Sequence, residues 1–299
     1  MTSLVIRPLV AGEEELFDSM PDPLPQLRQV GYADGLAGGG YRPEHTWIAV
    51  RDGRVVGRAA WLQPPGASGA PWLERFDLDA EPEVGAALLN RAHEAFGGPL
   101  RYLAAVPAYW RRSPEVAAVV RAPMAAARLA GLVEGVERLR FSWTGAPRPE
   151  PSGRYRFRAP HDAAEIRAVV ARVERPQVLT GAEIAATVGG VDLATDPLGW
   201  VRGPLDAWRV AVRDGQPAGL AATAGDVCYP MIPYAGVLDG AVLGELLAET
   251  AGMLAAAGAR EVLADADAHL TAVVAELERT GFRRIRSRVV FEPPGVPHA

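Results

Sequence analysis

Polar and apolar positions alternate along this chain in two rhythms. Short apolar or alternating stretches bounded by Gly, Pro or Asp read as strands, and stretches with an apolar residue every three or four positions read as helices. Leu4 to Leu9 reads as a first strand, and Glu13-Glu14-Glu15-Leu16-Phe17 opens a helix. Residues 21–46 are rich in Pro and Gly and read as a loop-rich insertion with one helical turn. A hairpin over 46–62 follows, turning at Asp52-Gly53, then a Pro/Gly loop from Pro64 to Pro71. Val84, Leu88, Leu89, Ala92 and Phe96 recur at helical spacing and stop at Gly97-Gly98. A strand over 100–106, a helix from Val116 to Leu129 and a strand from Val136 to Trp143 complete this half.

The pattern is then written again. Ala49 to Ala60 reads A-V-R-D-G-x-x-x-G-x-A-A, and Ala211 to Ala222 repeats it without a gap, 162 positions later. The chain is therefore expected to be a tandem repeat. The proline-stiffened run from Gly145 to Gly153 marks the boundary, giving domains 1–146 and 154–299 around a linker at 147–153. In the second domain the expected order is a strand 155–158, a helix 162–173 started by Asp162, and a variable stretch. A hairpin 207–224, a strand through Cys228 to Val237, a helix 242–257, a strand 260–264, a helix 270–279 and a strand 285–292 follow.

At 299 residues and 49% hydrophobic content, the chain has ample material for two cores. With 31 basic and 36 acidic residues well mixed, a general nucleic-acid binder or anionic-membrane binder is not expected. The lone cysteine, Cys228, excludes an intramolecular disulfide and reads as a small core residue. Met1-Thr2-Ser3-Leu4 lacks a basic segment followed by an apolar run, and no apolar run is long enough to span a bilayer, so a cytoplasmic protein is expected.

The order β-α-(α)-β-β-β-α-β-α-β resembles the GNAT (GCN5-related N-acetyltransferase) superfamily. The resemblance rests on Arg7-Pro8 and Arg158-Ala159 in the opening strands, on the duplicated hairpin, and on Leu277-Glu278-Arg279-Thr280-Gly281-Phe282, which is similar to the family's L-Y-E-x-x-G-F ending. It implies an α/β fold of two tandem domains, each a mixed, mostly antiparallel sheet with helices on both faces. It also implies acetyl-CoA or another acyl-CoA as cofactor and transfer of the acyl group to an amine. In the family a loop (Arg/Gln)-x-x-Gly-x-(Gly/Ala) opens the central helix and holds the CoA pyrophosphate on its amides. The corresponding runs here are Asp239 to Gly244 and Glu81 to Ala86: the last small residue is kept, the basic position is acidic, and the middle glycine is Val242 or Val84. Glu81, Glu83 and Asp239 also read as ordinary helix-start residues. Gly240 makes the second half the better cofactor site. The family's tyrosine acid is replaced by Leu277 and Ala127.

On that resemblance, Met231, Ile232 and Tyr234 present the backbone that meets the thioester, and Gly240, Val242 and Gly244 form the cofactor loop. Tyr229 and Tyr234 fall on opposite sides of a regular strand, so one of them faces the cleft. Asp265, Asp267 and His269 alternate, and read either as a general base with orienting carboxylates or as a helix cap; no metal is expected there. Tyr109-Trp110-Arg111-Arg112 reads as a nucleotide grip or as packing, and Arg283, Arg284, Arg286 and Arg288 as a solvated edge strand. The expectation is an acyl-CoA-dependent N-acyltransferase for a small-molecule amine, its chemistry in the C-terminal half and the N-terminal half structural. The alternative is a GNAT fold that no longer uses CoA, as a repurposed enzyme or a ligand-binding module; a partner-binding role comes third.

Overall fold

The computed structural model describes residues 4–28, 31–145, 151–225 and 229–296. Cys228 and linker residues 146–150 lie outside them. The first half of the chain forms β1 (Leu4–Pro8), α1 (Glu14–Asp18), α2 (Tyr32–Ala37), β2 (Thr46–Arg51), β3 (Arg54–Leu62), β4 (Trp72–Leu78), α3 (Pro82–Phe96), β5 (Tyr102–Pro107), α4 (Pro114–Leu129) and β6 (Val133–Trp143). The second half forms β7 (Arg156–Arg158), α5 (Ala163–Val170), β8 (Val178–Leu179), α6 (Ala182–Gly189), α7 (Pro197–Trp200), β9 (Trp208–Arg213) and β10 (Gln216–Ala224). It ends with β11 (Met231–Val237), α8 (Leu243–Ala256), β12 (Val262–Asp267), α9 (Thr271–Arg279) and β13 (Arg283–Glu292). Two elements depart from the sequence pattern in ways that matter below. The variable stretch contains β8, and β12 runs on through Asp267 instead of stopping at residue 264.

The repeat is geometric as well as written. Both hairpins turn through left-handed Asp-Gly pairs, with φ of 52° and 79° at Asp52-Gly53 and 50° and 78° at Asp214-Gly215, the type I′ turn that matches strand twist. Both carry a bulge at the same place. The register steps past Val56 in one hairpin and past Ala218 in the other. The bulge carbonyls have the same use: Asp79 N–H donates to Val56 O at 2.8 Å, and Leu238 and Asp239 N–H donate to Ala218 O at 2.8 and 3.0 Å. Each bulge thus fixes where the chain leaves the sheet to enter its central helix. The opening strands repeat too. Arg7 grips Glu13 at 2.6 and 2.9 Å, and Arg158 grips Glu165 at 2.9 and 2.5 Å. The Arg158 hydrogen bond holds the Glu165 carboxyl down to about 2. Asp162 caps α5 by accepting from Glu165 N–H at 2.8 Å.

The compact units do not coincide with domains 1–146 and 154–299. One comprises residues up to 137 together with 287 onward, and the other residues 138–286. Strand order in the first is β1-β2-β3-β4-β5-β13, and in the second β7-β9-β10-β11-β12-β6, with β8 added to β11. Each half thus contributes its last strand to the other half's sheet. The reason is visible in the cores. Val289 and Phe291 of β13 sit in the first unit's core among Leu73, Phe76 and Tyr102, and Phe291 stacks on Tyr102 with ring centroids 5.5 Å apart. Arg101 pairs with Glu292 at 2.9 Å beside them. In the second unit β6 pairs antiparallel with β12 from Trp143↔Val262 to Arg138↔Asp267, and brings Leu139, Phe141 and Trp143 into that core. So β13 is not the edge strand expected for its own half. Arg283 and Arg284 are exposed as expected, and Arg284 pairs with Glu278 at 2.7 Å.

Phe291→Ala empties a fully buried position and is expected to cost about 3–5 kcal/mol. Backbone hydrogen exchange should accelerate in β4 and β5, far away in sequence, and stay slow in β9 to β11. Acceleration confined to the second half of the sequence would contradict the exchange.

Candidate active site

A mixed sheet of this kind offers a ligand the place where two parallel central strands part, because backbone groups there have no partner strand. Each unit has such a place. In the second, β11 and β12 run parallel and among the described residues pair only at Met231↔Leu263. The gap beyond that point is filled by β8, which pairs antiparallel with β11 at Leu179↔Tyr234 and Val178↔Ala235. Gln177 N–H donates to Ala235 O at 2.8 Å, Thr180 N–H to Pro233 O at 3.0 Å, and Val237 N–H to the Gln177 side-chain oxygen at 2.8 Å. The Thr180 hydroxyl spans the gap. It donates to Ile232 O on β11 at 2.5 Å and accepts from Asp265 N–H on β12 at 2.9 Å.

This corrects the expected cofactor set. The β11 backbone at Ile232 to Ala235, reserved for a thioester, is occupied by the chain itself. Ile232 and Val242 are fully buried core residues, and Met231 is half-buried. Tyr234 points to the other face of the sheet. It is fully buried beside Trp208, its hydroxyl without a partner among the described residues, and burial pushes its phenol up. Tyr229 is 53% exposed. At the start of α8 the anion site is closed as well: Asp239 accepts from Ala241 N–H at 3.1 Å, from Tyr155 at 2.8 Å and from Arg213 at 3.1 Å. The Tyr155 hydrogen bond, then Ala241 N–H and Arg213, lower the Asp239 carboxyl. Gly240 is open, but Gly244 lies under α9, where an added Cβ would meet Glu276 Oε1 at 1.7 Å. Its smallness serves helix packing.

Asp265, Asp267 and His269 do not assemble into a base and its orienting groups. Asp265 is buried and gripped by Arg140 at 2.7 and 2.6 Å. Asp267 lies 3.4 Å from Arg138, whose Nε is 2.6 Å from the buried Glu183 carboxylate. His269 is exposed and accepts from Arg175 at 2.9 Å through Nε2. The two carboxylates answer the arginines of β6, a strand from the first half of the sequence. That partnership is invisible until the strands exchange.

The first unit has the same parting with no strand in it among the described residues. β4 and β5 are parallel, pair only at Leu73↔Tyr102, and among the described residues no strand follows β4 further along this side. The slot is lined by Glu74 and Phe76 of β4, Tyr102 and Ala105 of β5, and Val120 of α4, with Leu24 laid over it. It encloses about 30 Å³, room for roughly one or two waters. Its cover, residues 22–28, is pinned by Arg28, which bonds Asp22 and Asp77 at 2.9 Å each. Asp77 is held in turn by the buried Arg58 at 2.9 Å, which also donates to Phe17 O and Met20 O. Glu74 is half-buried and accepts from Trp72 Nε1 at 2.9 Å. Burial pushes the Tyr102 phenol up, so it stays a donor through the neutral range.

The acidic collar at the start of α3 is neutralised from a distance. Arg51 pairs with Glu81 at 2.9 Å, and Arg54 pairs with Asp79. Arg213 does the same for Asp239 in the second unit. The basic group absent from the helix start is therefore supplied by the hairpin, and the signal for it was the arginine kept in both copies of A-V-R-D-G. Of the Tyr109 to Arg112 run, Trp110 is core and donates to Glu137 at 3.1 Å, Arg111 stacks on it at 4.1 Å, and Tyr109 is exposed. Among the described residues no cluster of three His, Cys, Asp or Glu side chains could hold a metal, and no helix is long and apolar enough to cross a membrane.

No protein-family model matches the sequence, and no curated protein is similar to it. Solved structures are. A GCN5-related N-acetyltransferase from Sphaerobacter thermophilus superposes with a TM-score of 0.58 at 16% identity, over 98% of this chain and 97% of that one. A tandem GNAT protein from the clavulanic acid biosynthesis pathway gives 0.47 at 19% identity, over 97% and 98%. An acetyltransferase of the GNAT family from Colwellia psychrerythraea gives 0.45 at 13%, over 97% and 99%.

Thr180→Val removes the hydroxyl that bridges β11 and β12 while keeping the side chain's shape. It leaves Ile232 O and Asp265 N–H unpaired, and is expected to cost the second unit about 2–4 kcal/mol in urea unfolding. His269→Ala, at an exposed position, should leave stability within about 0.5 kcal/mol of wild type. Equal stability of Thr180→Val and wild type would show that β8 does not fill the gap.

Proposed function

We infer that this chain, whose fold is that of the GCN5-related N-acetyltransferases, is an acyl-CoA-dependent N-acyltransferase for a small-molecule amine, with its reactive cleft in the first unit. One observation carries the assignment to that unit. The parting of β4 and β5 is free of a strand, whereas the equivalent parting of β11 and β12 is filled by β8. This reverses the roles expected for the two halves.

The residues of the first unit fit such a cofactor in two respects. An extended chain bearing amides adds to an unpaired strand edge by main-chain hydrogen bonds, and β4 offers that edge. The start of α3 offers the positive end of its helix dipole to an anion, and Arg51 and Arg54 stand beside it in exposed ion pairs with Glu81 and Asp79. Exposed pairs of this kind are worth at most about 1 kcal/mol, so a diphosphate can take the arginines over. The second unit does not fit, since its edge and its helix start are both spent. The cofactor, when bound, supplies the activated acyl group. The chain supplies the rest. The Glu74 carboxylate can take a proton from an ammonium group entering the slot, and the Tyr102 hydroxyl can give one. Lifting the Pro23–Arg28 cover admits both reactants to a slot that is otherwise too narrow.

Calorimetric titration of the full-length protein with acetyl-CoA should give one saturable site per chain. Ala105→Trp, which fills the slot, should weaken it at least about tenfold, and Arg51→Glu should weaken it by a smaller factor. Glu74→Gln should keep binding and lower kcat. Absence of binding at millimolar cofactor would replace this reading with the second one, a GNAT fold that has given up CoA, for which the acidic residues around the α3 start are the supporting observation.

A further inference from the structure

The central helix of the first unit buries a titratable group that the proposed chemistry does not use. His93 lies in the last turn of α3 and is 6% exposed. Its ring meets the edge of Trp61 on β3 with centroids 6.1 Å apart, and its Nε2 has no hydrogen-bond partner among the described residues. The indole N–H groups of Trp61 and Trp47, both buried in the first unit's core, also lack partners among the described residues. The layer under the end of α3 therefore holds donors in want of acceptors. A neutral imidazole keeps one nitrogen bare, whereas an imidazolium donates from both. A proton on His93 thus adds a charge and one more donor to a layer already short of acceptors.

The charged groups around it are committed elsewhere. α3 packs against β1, β2, β3 and α4. On those strands Arg7 holds Glu13, Arg51 holds Glu81 at the far end of α3, Arg54 holds Asp79, and Arg58 donates to Asp77. Glu83, Arg91 and Glu94 of α3 and Glu115, Arg121 and Arg128 of α4 are exposed. His45, half-buried, meets Phe96 at 5.1 Å; burial holds its imidazole low, with Glu44 acting against that and Arg42 with it. A helix C-terminus favours a cation, but burial outweighs it and lowers the His93 imidazole to about 4. The second repeat has no such group. Aligning Leu88-Leu89 with Leu246-Leu247 puts the fully buried Ala251 in the place of His93, and aligning the hairpins puts Thr223 in the place of Trp61. The histidines of that unit among the described residues, His161 and His269, are exposed. We propose that His93 is an acid-sensitive release built into the first unit: a proton on its ring drives the end of α3 off β2 and β3, so that this unit, and not the second, opens reversibly in mild acid. The release belongs to the packing and does not depend on what the β4–β5 slot binds. Since α3 also carries the helix start assigned to the cofactor, release switches that site off too, and this consequence alone rests on the assignment.

A histidine whose folded value lies below its unfolded value of about 6.5 contributes stability that is complete above about 6.5 and is lost as the pH falls toward the folded value. Opening that exposes His93 therefore becomes about twentyfold more favourable between about pH 7 and pH 5, a window in which most carboxylates stay ionised whether the chain is folded or not. The test is hydrogen exchange on the full-length protein at the two ends of that window, expressed as protection factors so that the pH dependence of the exchange chemistry cancels. Protection in α3, β2 and β3 should fall about twentyfold on acidification, and that in α8, β9 and β10 by less than about threefold. His93→Phe keeps a ring against Trp61 and removes the titration, so its α3 should stay protected across the window. Nuclear magnetic resonance of the wild-type ring protons checks the cause without a variant: the His93 ring should remain neutral down to about pH 5. A His93 ring that titrates at about pH 6 or above, equal loss of protection in both units, or the same loss in His93→Phe as in wild type would overturn the proposal.

Discussion

The constraint behind this structure is the unpaired strand edge. Two parallel strands that touch at one residue and then part leave backbone N–H and C=O groups without partners, and in a buried sheet those groups must be satisfied by something. The chain meets the constraint in two ways. At β11 it supplies its own strand, two residues long, with a threonine hydroxyl bridging to β12. At β4 it supplies, among the described residues, no strand but a cover held by Arg28. The difference between the halves follows from that choice more than from any catalytic residue.

The exchange of last strands binds the two halves into one folding problem. β6 delivers Arg138 and Arg140 to the second unit, where they meet Glu183, Asp267 and Asp265. Removing one member of such a buried set leaves an uncompensated charge, which is costly, so these residues are held together by mutual need. β13 delivers Phe291 to the first unit, where it supports Tyr102 at the wall of the slot. Residues that belong to the far end of the sequence thus shape the cleft assigned to the first unit.

Much of the scaffold was legible in the sequence because it is locally encoded. The Asp-Gly turns demand left-handed backbone, the central and closing helices show their period, and Arg158-Ala159 with Glu165 repeats Arg7-Pro8 with Glu13. The candidate site was not legible, for three physical reasons. A two-residue strand such as β8 has no periodicity to read. Which sheet a last strand joins is a long-range choice, so Asp265 and Asp267 looked free when arginines more than a hundred positions earlier were waiting for them. And Glu81 looked like a repulsive group at a phosphate site because its partner, Arg51, sits 30 residues away on the hairpin. In each case the missing information was a partner brought in by tertiary pairing.

The central claim is that the parting of β4 and β5 receives the cofactor and the parting of β11 and β12 does not. Hydrogen exchange with and without CoA tests it most directly. The account predicts slower exchange in β4 and β5, around residues 73–78 and 102–106, with β11 already protected in the free protein and unchanged on adding CoA. New protection in β11 and β12, with β4 and β5 unaffected, would contradict it.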